Sequence, residues 1–255
     1  MADIKDYTEY VDFPGHFERL KWIYESISTT RVKGRTVNVL DVGCGTGNVT
    51  IPLGLIPDSN IVGIDMHQGN LDVSIAKNKF PNVTFSFAYL ADYPIQTFDY
   101  IILTEVLEHV PGYKESIFDY ISKNANPDFE LQITIPNGWG PFEFAMQPLY
   151  LMRRMGMNNF IWKVKKLLGK KEPYSQNYDT PHVNFFTIPR LKRELKEFNL
   201  EITAIKNAYI ILPIIETYLP FIPLHTIGKI DNWIAQRVPH FLSSGWYFKI
   251  KYIKK

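Results

Sequence analysis

The chain contains 255 residues, of which 45% are hydrophobic and 21% are charged, and its formal net charge is +2. This composition can supply one enzyme-sized hydrophobic core, so the sequence predicts a single domain over residues 1–255. The weak charge balance, with no dominant basic stripe, argues against a nucleic-acid partner. The one cysteine, Cys44, excludes an intramolecular disulfide and a cysteine-rich zinc cluster, which favours a reducing cytoplasm.

Residues 1–35 combine a polar start with an apolar helical pattern. The first residues have mixed charge and no apolar core, so no signal peptide is predicted. Leu20, Ile23 and Ile27 then recur at helical spacing, which predicts an amino-terminal helix.

A short apolar run and a glycine-rich turn follow at 37–47. The run predicts a central parallel strand, after which the sequence reads D-x-G-x-G-x-G from Asp41 to Gly47. A dinucleotide loop would need its third glycine at position 48, which is Asn48, and no Gly-Lys-Ser/Thr of a P-loop follows. The pattern predicts a nucleotide-cofactor loop, and a purely structural strand-to-helix turn fits the glycines equally well.

A second apolar strand, 61–65, ends in Asp65, 22 residues beyond Gly43. Doubly wound folds place there the acid that accepts hydrogen bonds from ribose hydroxyls. Asp65 is therefore the strongest single cofactor candidate, and its alternative role is to cap a helix that begins near Gly69.

The segment 98–110, an apolar strand that runs into Thr104-Glu105-Val106-Leu107-Glu108-His109-Val110, is the most specific signal in the chain. It resembles the FD-x-I…E-V-L-E-H-V segment of ubiquinone-pathway and related small-molecule methyltransferases. The loop at 41–47 resembles motif I of the class I S-adenosylmethionine-dependent methyltransferases. The resemblance extends to Asn137, through a strand at 83–88, a helix at 113–125 and a strand at 129–135.

This resemblance implies an α/β fold: a Rossmann-like, doubly wound, seven-stranded and mostly parallel sheet with an antiparallel last strand and a helical cap insertion. It divides the domain into a lid helix (1–35), a cofactor-binding core (36–137), a cap insertion (138–181) and a carboxyl-terminal part of the sheet (182–255). The implied cofactor is S-adenosylmethionine. Its predicted ligands are Asp41, Gly43, Cys44, Gly45, Gly47, Asp65, Met66, Tyr89, Leu90, Thr104, Glu105 and Arg19. Glu108 and His109 are expected to cap and pin the turn, and no metal ligands are predicted.

Two parts of the predicted cofactor site depart from the family pattern or leave alternatives open. Relatives usually carry an aspartate at the position of Tyr89, so backbone groups at Tyr89 and Leu90, or the Asp92 carboxylate, would have to recognise adenine, and the phenol could stack on it. In the lid helix, Tyr10, His16 or Arg19 could reach the methionine carboxylate, and a solvated Arg19 on an amphipathic helix is the other interpretation.

The cap insertion 138–181 begins with bulky apolar residues and continues into a basic run. The apolar residues are concentrated between Trp139 and Met155, and the basic residues are Lys163, Lys165, Lys166, Lys170 and Lys171. Three interpretations are open: a cap over an apolar or anionic acceptor, an amphipathic helix on an acidic membrane surface, or a helical cap with a solvated lysine face.

The segment 181–189 resembles the H-V-x-F-F-T-P stretch before the next helix of the same methyltransferase group. Thr187 is predicted to cap that helix, and Pro189 to lie in its first turn. His182 would then lie near the acceptor, where it could act as a general base or could hold the loop by hydrogen bonds.

The rest of the chain predicts a strand at 200–205, a helix at 227–238 and a final strand at 246–252. Three prolines between them predict an irregular apolar flap at 209–225. The apolar stretch 208–224 contains Glu216 and these prolines, which argues against a spanning helix. The flap could contact a hydrophobic acceptor, a membrane surface or a second copy of the chain.

The resemblance implies methyl transfer to a hydroxyl of a small-molecule, glycan or lipid-linked acceptor. The chain reads Thr104-Glu105-Val106-Leu107 where many amide and base N-methyltransferases carry an Asn-Pro-Pro-Tyr type of tetrapeptide, which disfavours nucleobase and glutamine acceptors. The alternatives are a small-molecule N-methyltransferase and a non-catalytic protein that binds the cofactor. A nicotinamide oxidoreductase is disfavoured by Asn48.

Overall fold

The computed structural model describes residues 4, 14–30, 34–167, 182–219 and 224–253. Within these residues a single sheet contains seven strands: β1 (Val37–Val42), β2 (Ser59–Asp65), β3 (Val83–Phe87), β4 (Tyr100–Thr104), β5 (Glu130–Pro136), β6 (Leu200–Asn207) and β7 (Gly245–Tyr252). Their order is β3-β2-β1-β4-β5-β7-β6. Strands β1 to β5 pair in parallel, and β7 is antiparallel to β5 and β6. The predicted doubly wound sheet with an antiparallel last strand is confirmed.

Alternate residues of β1 enter two different cores. Val37 and Val39 pack in a cluster with Leu20 and Ile23 of α1 (Pro14–Thr30). Leu40 and Val42 belong to the cluster on the other face of the sheet. Because successive side chains of a strand point to opposite faces, a strand buried on both faces needs apolar residues at successive positions. This explains the continuous apolar run in the sequence.

The helices cover both faces and the carboxyl edge of the sheet. They are α2 (Thr50–Leu53), α3 (Gln68–Lys77), α4 (Tyr120–Asn124), α5 (Pro141–Arg154), α6 (Asn158–Leu167), α7 (Ile188–Glu197), α8 (Leu212–Tyr218) and α9 (Leu224–Ala235). The helix expected at 113–125 begins as a π-helical turn over Lys114–Asp119 before it continues as α4. Thr187 caps α7 as predicted, since its Oγ1 accepts a hydrogen bond from the Arg190 N–H.

The prediction of an irregular flap at 209–225 was wrong, because α8 lies within it. Pro213 occupies the first turn of α8, where a proline loses no helical hydrogen bond. The buried carboxylate of Asp231 on α9 accepts hydrogen bonds from the N–H groups of Ile210, Ile211 and Leu212, at 3.0, 3.1 and 3.1 Å. A cap supplied 19 residues downstream leaves no local signal in the sequence.

No helix in the described ranges is both long enough and apolar enough to cross a bilayer. In the segment predicted as a cap insertion, the structure describes residues 138–167, which contain α5 and α6, and residues 168–181 lie outside the described ranges.

Candidate active site

The glycine-rich loop after β1 turns back against β2. Gly43, Gly45 and Gly47 all have positive φ, at 69°, 55° and 79°, a region that other residues rarely adopt. The N–H groups of Gly43 and Cys44 donate to the Ile64 carbonyl at 2.8 and 3.0 Å. A Cβ on Gly47 would lie 2.8 Å from the Ile51 side chain, whereas one on Gly45 would meet nothing within 4 Å. The loop is therefore packed from below and open at Gly45.

The structure brings Asp65 to this open loop. Its Oδ2 accepts the Gly45 N–H at 2.8 Å, and its Oδ1 accepts the His67 N–H at 2.8 Å. The residue is only 4% exposed, yet each carboxylate oxygen can accept a further hydrogen bond. Helix α3 begins at Gln68 with no side-chain cap, so Asp65 holds the turn before the helix and does not cap its first turn.

Asp41 lies beneath the loop and is completely buried. Its Oδ2 accepts a hydrogen bond from Thr50 Oγ1 at 2.6 Å, while Oδ1 has no hydrogen-bond partner. Burial raises the pKa of this carboxyl to about 7. The adjacent Cys44 is also buried, and burial raises the pKa of its thiol, so the thiolate is disfavoured.

Glu105, directly after β4, joins the predicted lid helix to the sheet. It has a positive φ of 55°, unusual for a residue with a side chain. Its Oε1 accepts a hydrogen bond from Thr134 Oγ1 at 2.9 Å and lies 3.4 Å from Nη1 of Arg19. The Nε of Arg19 is buried without a partner, so this guanidinium retains a free donor beside the strand end. Tyr10 lies outside the described residues.

Apolar side chains surround the end of β2 and the start of the following turn. Met66 is 50% exposed and Tyr89 is 52% exposed, whereas Leu90 is buried in a short 3-10 turn. Phe87, the register partner of Asp65, is also exposed. Flat aromatic rings and a polarisable thioether beside a carboxylate can contact the face and edge of an aromatic ring.

Glu108 does not have the capping role predicted for it. Its side chain is fully buried, and neither carboxylate oxygen has a hydrogen-bond partner. Burial and the nearby Glu105 raise the pKa of Glu108 well above its usual range. The turn is held instead by main-chain groups, since the Glu108 carbonyl accepts the N–H groups of Val183 and Asn184 at 2.8 and 3.1 Å.

These contacts place His182 at the carboxyl end of β4, beside the Glu108–His109 turn. The rings of His109 and His182 lie edge to face with centroids 4.9 Å apart. Glu108, His109 and His182 each bring one potential ligand atom within 4.8 Å of the others, a spacing that can hold a metal ion. The sequence predicted no such grouping, because the histidines lie 73 positions apart in the chain.

Glu143 of α5 is the residue that sequence reasoning missed. Its Oε1 lies 2.6 Å from Nδ1 of His182, and its Oε2 accepts a hydrogen bond from the Tyr150 hydroxyl at 3.2 Å. Glu143 is 1% exposed. The sequence did offer one signal, because Glu143 is the single acidic residue in the apolar stretch from Trp139 to Met155.

Comparisons with known proteins agree with this architecture. A family model described as a methyltransferase domain matches residues 16–205. A mitochondrial ubiquinone biosynthesis O-methyltransferase of Dictyostelium discoideum is 33% identical over 136 residues, which cover 47% of this chain and 42% of that protein.

Two solved structures share the fold. PKMT2 from Rickettsia typhi, in complex with AdoHcy, superposes with a TM-score of 0.55 at 14% identity, covering 95% of this chain and 54% of that one. Magnesium protoporphyrin IX methyltransferase from Synechocystis PCC 6803, with bound SAH, gives 0.53 at 14% identity, covering 92% and 83%. The chain spans less than half the length of the curated relatives named ubiquinone biosynthesis O-methyltransferase that it matches.

Proposed function

Because the chain belongs to the methyltransferase domain family and has its seven-stranded fold, we propose that it is an S-adenosylmethionine-dependent methyltransferase. Its acceptor is a hydroxyl group of a small-molecule, glycan or lipid-linked compound. The observation that carries the proposal is the contact of Asp65 with the open Gly45 loop at the carboxyl end of parallel strands, where open α/β sheets bind their ligands.

Different described residues bind different parts of the cofactor. Asp65 accepts hydrogen bonds from the ribose hydroxyls, and the loop at Gly43, Gly45 and Gly47 lies against the ribose and aminoacyl parts. Met66 and Tyr89 contact the adenine, aided by backbone groups at Leu90. The free Nε of Arg19 donates to the methionine carboxylate, for which a guanidinium is well suited. Thr104 and Glu105 line the strand end beside the transferred methyl group, while Asp41 and Cys44 support the loop from beneath.

Bound at this edge, S-adenosylmethionine would supply a methyl group on a positively charged sulfur. The acceptor oxygen would bond to the methyl carbon as the carbon–sulfur bond breaks and its electron pair stays on sulfur, and Nε2 of His182 would take the proton of the acceptor. Holding two reactants in line can contribute on the order of 7–11 kcal/mol. General-base assistance adds a factor of roughly 10²–10⁴.

A hydroxyl acceptor is favoured by the relatives named ubiquinone biosynthesis O-methyltransferase. A small-molecule amine acceptor and a cofactor-binding protein without catalysis are the alternatives. An acceptor screen with labelled S-adenosylmethionine against phenols, catechols, sugar nucleotides and amines separates the three.

The catalytic assignment is tested by His182→Ala with whichever acceptor the screen identifies. We expect turnover to fall by roughly 10²–10⁴, while S-adenosylhomocysteine affinity stays within about twofold of wild type, because the cofactor residues lie on other loops. Equal weakening of turnover and cofactor affinity would contradict a base and assign His182 a structural role.

We further propose that the protein works in the cytoplasm and that its cap insertion contacts an acidic membrane surface. Helices α5 and α6, with the residues that flank α5, expose a set of apolar side chains called here the cap surface: Trp139, Phe144, Leu151, Met155, Phe160, Val164 and Leu167. The neighbouring Lys163 and Lys166 are exposed as well. Apolar side chains beside lysines suit the boundary between acyl chains and anionic headgroups, where a lipid-linked acceptor would be available.

A further inference from the structure

We infer that Glu143 is a positioning residue, which fixes the tautomer and the ring orientation of His182 from the cap helix. The inference rests on the proposed function, because His182 can act as a base only with a free lone pair on the correct nitrogen. Glu143 and His182 are 39 positions apart and come from different elements, α5 and the segment before α7.

The tautomer follows from the hydrogen-bonding capacity of the two groups. An ionised carboxylate can only accept, so the 2.6 Å contact with Oε1 of Glu143 requires that Nδ1 of His182 carries the proton. In the neutral ring the lone pair is then on Nε2. An unconstrained histidine in water prefers the opposite tautomer, with the proton on Nε2, so the protein must supply the preference.

The orientation follows from anchors on two sides. The main chain of the His182 segment is held by the turn after β4, where Val183 N–H and Asn184 N–H bond to the Glu108 carbonyl. The Asn184 side chain donates to the carbonyls of Leu107 and Val110, both at 2.8 Å. The ring itself is held by Glu143 from the cap. A side chain fixed at both its backbone and its ring has little rotamer freedom left to lose in the transition state.

Glu143 differs from the other buried carboxylate in this region. Both of its oxygens have hydrogen-bond partners, His182 and Tyr150, whereas neither oxygen of Glu108 has a hydrogen-bond partner. A fully partnered carboxylate that holds one nitrogen of a histidine is the arrangement that orients catalytic imidazoles. It also makes the base dependent on the cap, because displacement of α5 would release the ring.

The test compares Glu143→Met, which removes the acceptor, with Glu143→Gln, whose Oε1 can still accept from Nδ1. Tyr150→Phe is the matched control, since it removes the other partner of the same carboxylate. In 15N-labelled protein, imidazole nitrogen shifts at a pH where the ring is neutral should report Nδ1–H in the wild type, in Glu143→Gln and in Tyr150→Phe. Glu143→Met should show the Nε2–H form. A retained Nδ1–H form in Glu143→Met would overturn the inference, whether or not the protein is active.

Turnover supplies the second readout. We expect Glu143→Met to lower kcat about 10- to 100-fold at unchanged KM, with substantial recovery in Glu143→Gln. An equal loss of kcat in both variants, or a change confined to thermal stability, would show that Glu143 only stabilises the packing of α5. If no acceptor is methylated by any variant, the proposed function fails, and the tautomer measurement still decides the role of Glu143.

Discussion

At the scale of single residues, the most consequential group is the buried Asp41. Its carboxyl has a pKa of about 7 in the folded protein, against an ordinary value near 3.8, because burial disfavours the charge. Between these two values the folded state holds a proton that the unfolded state has lost. Stability therefore falls as the pH rises through this window.

Asp41→Asn removes this titration and keeps an oxygen that can accept from Thr50. We expect the free energy of unfolding of the variant, minus that of the wild type, to rise by about 2–3 kcal/mol between pH 5 and pH 8. Urea unfolding of both proteins without cofactor at several pH values measures this difference. A difference that does not change with pH would show that Asp41 titrates near its ordinary value when folded.

Some residues of the candidate site could be predicted from the sequence and others could not. The glycine loop and Asp65 were predictable, because a short strand, a tight turn and a strand-end acid occupy contiguous positions whose spacing is set by the fold. Glu143 was not predictable, since its role depends on a contact with His182 across 39 positions. The carboxylate of Glu108 was misassigned, because a sequence shows an acid near a turn but not that the acid is buried without a hydrogen-bond partner.

At the scale of elements, the strands were easier to predict than the segments that cover them. The parallel strands β1, β2 and β4 follow from their apolar runs, and β3 and β5 were implied by the family resemblance. Helix α8 depends instead on Asp231, which lies on the next helix. The cap insertion was implied by the family resemblance, and its composition left three interpretations open. Its function depends on which faces of α5 and α6 are buried, and only the folded chain determines this.

The exposed face of the cap yields a prediction for membrane binding. We expect the protein to cosediment with vesicles that contain phosphatidylglycerol, and to bind phosphatidylcholine vesicles much more weakly. The double variant Lys163→Glu, Lys166→Glu should lower binding to the anionic vesicles by at least roughly tenfold, since each lysine near such a surface contributes about 1 kcal/mol.

Lys192→Glu, Lys196→Glu on α7 is the matched control for this charge change, because both lysines are also exposed. It should leave vesicle binding close to that of the wild type. Equal losses in the two double variants would indicate a general effect of net charge, and the absence of any vesicle binding would contradict a membrane role for the cap.

At the scale of the whole molecule, the fold gathers every proposed functional group at one edge of one sheet. The cofactor loop and Asp65 follow β1 and β2, and Glu105 and the Glu108–His109 turn follow β4. The main chain directly after His182 is hydrogen-bonded to that turn. The lid helix contributes Arg19 to the same edge, and the cap contributes Glu143. Elements far apart in the chain thus converge where a parallel sheet binds its ligand.

The central claim is that this edge binds S-adenosylmethionine through Asp65. Calorimetric titration of S-adenosylmethionine and S-adenosylhomocysteine tests it, with NADH as the control ligand. The proteins are the wild type, Asp65→Ala, and Asp128→Ala, which alters an exposed acid in the turn before β5. We expect both sulfur cofactors to bind the wild type and Asp128→Ala equally, and Asp65→Ala to bind them at least roughly tenfold more weakly, since charge-assisted hydrogen bonds contribute about 1.5–3 kcal/mol. No binding of either sulfur cofactor, or a preference for NADH, would contradict the account.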